Sequence, residues 1–427
     1  MNKTSTGATV KSAADARSPN TKRQAKTTDY DTIIVRLSGE IGVKSEWTRR
    51  SYEKQLIKNI KYALKEANLK PDAIAHLRGR FYLKTTKAQE TAKTVTRVFG
   101  VSSVSPAKQT TSDLRDITQT TLALSEGVVR ENMSFAVRCH RVGTHPYSSM
   151  ELCRTLGAEI LTDLKKRHPT VNLTAPDVTI TVEVRDADAF AYAETLQGVG
   201  GFPLGMQAKT VCLLSGGIDS PVACWLTMKR GSPTVPVYID NSPFTDETAK
   251  TKAIATAKKL QECSTGYIHK IYIVPNGENM TTIQQKAPTR FTCLLCKRLM
   301  YRIAERIAQT ENAYGVVTGE AIGEQASQTM HNLFAIDEAA TLFPIHRPLL
   351  GFDKLETEAI ARKIGTLEIS IQKAKGCSAA PSLPATRARL EALKEAEANL
   401  NIAEMVESAL RNAQVLPLTQ DRDEEIS

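Results

Sequence analysis

A chain of 427 residues, 41% of them apolar and 24% charged, has room for about two to four folded modules. No apolar run reaches the ~20 residues of a membrane span and the first residues lack the apolar core of a secretory leader, so a cytoplasmic protein with no membrane partner is expected. The net charge of +10 is uneven: residues 1–28 carry +5, residues 386–427 carry −4, and the +9 between them points to a polyanionic partner, nucleic acid first.

Residues 1–28 are rich in Thr, Ser, Ala and Lys and predict a disordered basic tail. A small module follows over residues 29–106. The apolar run at 31–37 reads as a strand, 39–44 as a turn, and 48–69 as an amphipathic helix with Tyr52, Leu56, Ile60 and Leu64 on one face. Phe81-Tyr82-Leu83 predicts a second strand, 88–98 a helix and 101–106 a third strand, an alternation that suggests a ferredoxin-like α+β domain.

Residues 107–207 read as a second α+β unit, with helices near 114–123 and 151–165 and strands at 134–139, 178–184 and 189–193. Between the first of these strands and the second helix lies Arg138-Cys139-His140-Arg141-Val142-Gly143-Thr144-His145-Pro146-Tyr147-Ser148-Ser149. Read as a loop, it offers Arg138 and Arg141 to RNA phosphate and sugar.

The Gly/Pro-rich joint 197–205 leads into residues 208–385, where strands and helices alternate and predict a doubly wound parallel sheet. Its first turn is the most informative stretch of the chain. The apolar strand at 210–214 runs into Ser215-Gly216-Gly217-Ile218-Asp219-Ser220-Pro221 and then a helix, with Ser220 expected as N-cap and Pro221 at the first helical position. Glycines that let the backbone approach, together with the N–H groups of a helix start, make an anion site. No Lys follows the second Gly, so this is not the GxxxxGK[ST] loop. SGGxDS resembles the PP-loop of enzymes that split ATP between the α and β phosphates. Strands at 235–239, 267–274 and 314–318 and helices at 246–260, 295–307 and 354–364 would bring Ser215–Ser220, Asp240-Asn241-Ser242 and Gly319-Glu320 to one sheet edge.

Eight stretches occur in one order: Arg36-Leu37-Ser38-Gly39-Glu40, Gly200–Gly205, Ser215–Ala223, Cys296-Lys297-Arg298, Thr318–Gly323, Ala326–Thr329, Arg347-Pro348-Leu349 and Ile364-Gly365-Thr366. Together they resemble the tRNA 4-thiouridine synthetase family over about residues 30–385. The resemblance implies an α/β multidomain chain: an N-terminal ferredoxin-like domain, a THUMP RNA-binding domain and a C-terminal PP-loop domain of the adenine nucleotide α-hydrolase type. It implies ATP-dependent adenylation of O4 of uridine 8 in tRNA, replacement of that oxygen by sulfur, and release of AMP and pyrophosphate, with a link to thiamine biosynthesis as a further expectation. By the family's pattern Leu213, Leu214, Tyr238 and Ile239 face adenine and ribose, and Gly319 and Gln328 close the pocket. The backbone of Ser215, Gly216, Gly217, Asp219 and Ser220 is expected at pyrophosphate. Asp219 is the candidate Mg²⁺ ligand and Lys297 the candidate phosphate-facing cation. A homodimer would let one subunit present tRNA to the other.

Eight scattered cysteines suit reduced thiols better than a disulfide framework. Cys377 matches the family's catalytic cysteine. Cys293 and Cys296, as CxxC ahead of Lys297, resemble an archaeal subgroup that holds an iron–sulfur cluster on these three thiols, leaving one iron open to a sulfur donor such as sulfide. A persulfide on Cys377 or a redox disulfide is the rival, and a zinc site would want a fourth ligand. The 43 residues after Pro384 are too few for the rhodanese domain of bacterial relatives and read as a helical, acidic tail over 386–427. Rivals from other classes lack support: an RNA methyltransferase would need another first turn, an amide-forming synthetase would not need this cysteine set, and a non-catalytic RNA-binding protein would not need Asp219 and Cys377.

Overall fold

The computed structural model describes residues 29–77 and 79–418; the tail predicted over 1–28 and the acidic chain end lie outside them. Two compact units divide the described chain, one of residues 110–191 and one of 30–109 with 192–418. No helix of the described residues is long and apolar enough to cross a membrane.

The larger unit begins with the strand Thr32–Leu37, the one-turn helix Gly39–Gly42 and the long helix Glu46–Glu66. The hairpin Ala73–Leu77 and Arg80–Lys84, the helix Ala88–Val95 and the strand Val101–Thr111 follow. The antiparallel order is 73–77, 80–84, 32–37, 101–111, the βαββαβ arrangement of a ferredoxin-like domain. The long helix buries Tyr52, Leu56, Ile60 and Leu64 as its spacing predicts, and Ser45 caps its start by accepting from the Thr48 N–H. Gly39–Gly42 is helical where a turn was expected. Ala73–Leu77 has no predicted counterpart; this short edge strand is exposed or half-buried throughout and lacks the polar–apolar alternation of a half-buried strand.

The smaller unit packs the helices Leu114–Val128 and Ser149–Asp163 with the strands Ser134–Val142, Thr170–Val171, Val178–Arg185 and Asp188–Tyr192. Ser134–Val142 pairs in parallel with both Thr170–Val171 and Val178–Arg185. Ser148 and Glu151 form a capping box at the start of the second helix.

The six-stranded sheet of the larger unit runs Ile345–His346, Val316–Val317, Thr210–Leu213, Thr234–Asp240, Lys270–Pro275, Gln414–Pro417, parallel except for the last strand. Alternate residues of its central strands enter two cores. Val211, Leu213, Val235, Val237 and Ile239 face the helices Gly277–Lys286 and Thr292–Thr310, and Cys212, Leu214 and Tyr238 face the helices Asp219–Lys229 and Glu247–Gln261. That is a doubly wound sheet, and its switch point is the strand Thr210–Leu213, beside which a ligand crevice opens at the C-terminal edge.

Residues 386–418 are not a tail. They form two helices, Leu390–Ala398 and Ile402–Arg411, where one helical run was expected, because Asn401 caps the second by accepting from the Glu404 N–H. The edge strand Gln414–Pro417 then pairs antiparallel with Lys270–Pro275. Buried Arg298 clamps this segment, donating from Nε and Nη2 to Glu397 at 2.8 Å each, while Arg302 donates to the same carboxylate. Glu397→Gln should therefore take away the counter-charge that two guanidinium groups share, leaving buried Arg298 with Glu338 alone, and destabilise the chain by about 3 kcal/mol, read as a lower denaturant midpoint of the full chain. A midpoint within error of the wild type would remove the clamp from the account.

Candidate active site

A cavity of about 310 Å³ opens at the C-terminal edge of the strands Thr210–Leu213 and Thr234–Asp240. Its walls include Leu213, Leu214, Ser215, Gly216, Gly217, Tyr238 and Ile239, all predicted for nucleotide binding. Asn241, expected at the same sheet edge, lines it too, and Val237, Thr245, Lys252, Met300 and Ala374 line it without having been predicted. A larger cavity of about 520 Å³, between the long N-terminal helix and the end of helix Glu247–Gln261, holds none of the predicted site residues.

The Gly-rich turn is fixed from within. Ser220 is not the N-cap: the helix starts at Asp219, and the Ser220 hydroxyl turns back to accept the Ser215 N–H at 2.8 Å. Ser215 Oγ in turn accepts the Gly217 N–H. Gly319 lies outside the cavity lining but against the same turn, where an added Cβ would come within 2.5 Å of the Ser220 nitrogen, so no side chain fits there. Asp219 also lies outside the lining. It accepts from Lys354 Nζ at 2.9 Å, and the same ammonium reaches Glu324. Burial pushes the Asp219 carboxyl up from its ordinary value, against the opposing pull of Lys354.

Lys297 does not face the turn as a free cation. Its Nζ donates to Glu320 Oε1 at 2.7 Å, inside a network where Glu320 Oε2 also accepts from Arg347 Nε at 2.9 Å, from Thr318 Oγ1 at 3.1 Å and from Tyr301. Arg347 continues to Asp337. Burial alone would raise the Glu320 carboxyl, but Lys297 and Arg347 bring it down to about 2. Gln328 is buried, and its Oε1 has no partner among the described residues.

Cys293 and Cys296 sit one turn apart at the start of helix Thr292–Thr310, on one face. Burial pushes the Cys296 thiol up to about 12, with the charges of Cys293 and Cys377 adding to the rise and Lys297 opposing it. Cys293 is raised by burial and then by Cys377. The three thiols therefore act on one another, although among the described residues no three His, Cys, Asp or Glu side chains are drawn together as a preformed single-ion site. The Cys377 loop is tied down by the Ser378 N–H on the Phe244 carbonyl at 2.8 Å and the Lys375 N–H on Asp246 at 3.0 Å. Cys212 and Cys224 are fully buried, and Cys139, Cys153 and Cys263 are half-buried.

Arg138 and Arg141 lie on a strand and not in a loop, since Ser134–Val142 runs on past both. Three residues apart on a strand, they point to opposite faces. Arg138 is exposed and donates to the Leu173 carbonyl at 2.5 Å; Arg141 shares its face with Cys139 and is half-buried, donating to the Gly143 carbonyl at 3.0 Å.

The family model described as thiamine biosynthesis protein (ThiI) matches residues 205–402. The ThiI ferredoxin-like domain model matches 32–105 and the THUMP domain model 111–193. A Methanosarcina acetivorans protein named "Probable tRNA sulfurtransferase" is 40% identical over 95% of this chain and 98% of its own. The chain belongs to the ThiI family. A Methanothermobacter thermautotrophicus relative of the same name is 38% identical over 90% of this chain and 97% of its own. A solved structure described as a 4-thiouridine synthetase–RNA complex with bound ATP superposes with a TM-score of 0.82, at 32% identity, over 91% of this chain and all of that one.

The ThiI-family motifs scattered along the sequence meet at Glu320: Lys297 comes from one, Thr318 and Glu320 from a second, Arg347 from a third. A carboxyl held near 2 when folded and near about 4.3 when unfolded contributes stability above the unfolded value, and the contribution is lost as pH falls toward the folded one. Glu320→Gln should thus flatten the loss of unfolding free energy between about pH 5 and pH 2, measured by denaturant titration at each pH. An unchanged slope would contradict the network's charge state.

Proposed function

We propose that the chain is an ATP-dependent tRNA sulfurtransferase that converts uridine 8 to 4-thiouridine in the cytoplasm. The observation that carries this reading is one cavity walled by the Gly-rich turn, by apolar strand ends and by Ala374, three residues ahead of Cys377. ATP lies with adenine against Leu213, Leu214, Tyr238 and Ile239, and its phosphates meet the Ser215–Ser220 backbone at the helix start. The uracil O4 attacks the α-phosphorus and pyrophosphate leaves, which turns a poor leaving group into AMP. Sulfur then bonds to ring carbon 4, and AMP departs with the former O4.

Asp219 and Glu324, two carboxylates sharing the Lys354 ammonium, are oxygen donors of the kind Mg²⁺ accepts, and Lys354 can shift as charge on the phosphates changes. Cys293, Cys296 and Cys377, whose thiols act on one another, are the residues that would hold an iron–sulfur cluster as thiolate ligands. Such a cluster would supply an open iron for a sulfur donor. RNA is met by basic surface: exposed Arg138 in the smaller unit, and in the larger unit Lys54, Lys58, Lys61 and Lys65 along the exposed face of helix Glu46–Glu66, whose first turn also carries Trp47, 82% exposed. Arg141, half-buried, is the weaker candidate. A homodimer that offers tRNA to the partner's site, and a second role in thiamine biosynthesis, belong to the same proposal.

The test is nucleoside analysis of tRNA after incubation of anaerobically purified protein with ATP and sulfide. Wild type should hold iron and acid-labile sulfide and form 4-thiouridine. Asp219→Ala should stop tRNA-dependent AMP formation, while Cys293→Ala, Cys296→Ala and Cys377→Ala should each keep it, lose thiolation and lose iron. An iron-free wild type that thiolates at full rate on sulfide would rule out the cluster, while activity that needs a persulfide donor in place of sulfide would favour a Cys377 persulfide; no 4-thiouridine with either donor would overturn the function.

A further inference from the structure

Lys252 lies on the buried stripe of helix Glu247–Gln261 with Ala253, Thr256, Ala257 and Leu260, and is only 7% exposed. A buried ammonium ordinarily has a carboxylate partner, because a lone charge out of water costs several kcal/mol. Arg298, the other buried cation among the described residues, has two such partners. Lys252 has none among the described residues. Its Nζ donates instead to two neutral carbonyls, Ser370 at 2.6 Å and Gln372 at 2.9 Å. An ammonium carries three donors, so one is left over.

The same side chain lines the 310 Å³ cavity, and no other lining residue carries a formal charge. Its stem is packed on the Gly-rich turn: a Cβ added at Gly216 would come within 2.7 Å of Lys252 Cβ. On its other side the segment it holds leads to Cys377. That segment is hung on the turn a second time, by Ser370 Oγ donating to the Gly217 carbonyl at 3.1 Å.

We propose that Lys252 gives its remaining donor to a phosphate oxygen of the bound nucleotide, and so couples nucleotide binding to the placement of the Cys377 loop. This rests on reading the cavity as the ATP site. A polyphosphate supplies the counter-charge that the ammonium lacks, and the two carbonyls pre-orient the ammonium for it. Lys252 is then a binding residue for ATP and a positioning residue for the cysteine, since its one charge touches both the cavity and the segment ahead of Cys377. Sulfur delivery would be set in place by the same ligand that activates the base.

The test uses the full chain and two readouts: ATP affinity by calorimetry, and the rate of Cys377 alkylation by iodoacetamide, followed by peptide mass spectrometry with and without ATP. In the wild type ATP should bind and change the Cys377 rate. Lys252→Met keeps the stem and removes the charge; its ATP affinity should fall about tenfold or more, and ATP should no longer change the Cys377 rate. Lys252→Arg should recover part of the affinity. A folded Lys252→Met with wild-type ATP affinity overturns the proposal, whatever its thiolation rate. If that variant does not fold, the wild type decides: ATP that binds without any change at Cys377 overturns the coupling. A wild type that binds no ATP contradicts the reading of the cavity instead.

Discussion

The turn from Ser215 to Ser220 is gripped by two backbone approaches that leave no room for a Cβ. Gly216 rests on the stem of Lys252 and the Ala249 carbonyl, and Gly319 rests on the Ser220 nitrogen at the helix start. These contacts fix where the free N–H groups of the turn lie, and so where phosphate can sit. Everything else in the site is placed relative to that turn: the apolar strand ends beside it, Lys354 beyond Asp219, and the Cys377 loop through Ser370 and Lys252. Close packing makes the arrangement rigid, since moving either glycine's neighbour means moving a helix or a strand.

Charge is treated in two different ways around this turn. At Glu320 the buried carboxylate is answered by Lys297, Arg347, Tyr301 and Thr318, and the network ties helix Thr292–Thr310 to the strand ends. The helix so tied carries Cys293 and Cys296 in its first turn. At Lys252 the buried charge is answered, among the described residues, by two carbonyls alone.

Much of this could be read in the sequence, for physical reasons that also explain the misses. The apolar strand Thr210–Leu213 with its double glycine is unmistakable because a parallel strand is buried on both faces. The helix Lys354–Ile364 falls where its spacing puts it, between the Asp353 capping box and Gly365 in the left-handed region. Edge strands escaped: Ala73–Leu77 and Gln414–Pro417 bury almost nothing, so no pattern marks them. For Lys297, expected on phosphate, sequence shows the charge but not its ion pair with Glu320, 23 residues away along the chain. Arg138 and Arg141 were paired in a loop, and extending the strand by three residues put them on opposite faces. Lys252 did leave a signal, a lysine in the Ala249–Ala253–Thr256–Leu260 stripe, where an apolar side chain would be usual. Lys354 left none, since only the fold brings it to Asp219.

The account stands on oxygen leaving uridine as part of AMP, and that atom can be followed. tRNA carrying ¹⁸O at O4 of uridine 8 would be turned over with unlabelled ATP and sulfide, and the AMP weighed by mass spectrometry. One ¹⁸O per AMP, in step with each 4-thiouridine formed, is the predicted result. Unlabelled AMP alongside full thiolation would mean that the oxygen is never adenylated, and would contradict the chemistry assigned to this cavity.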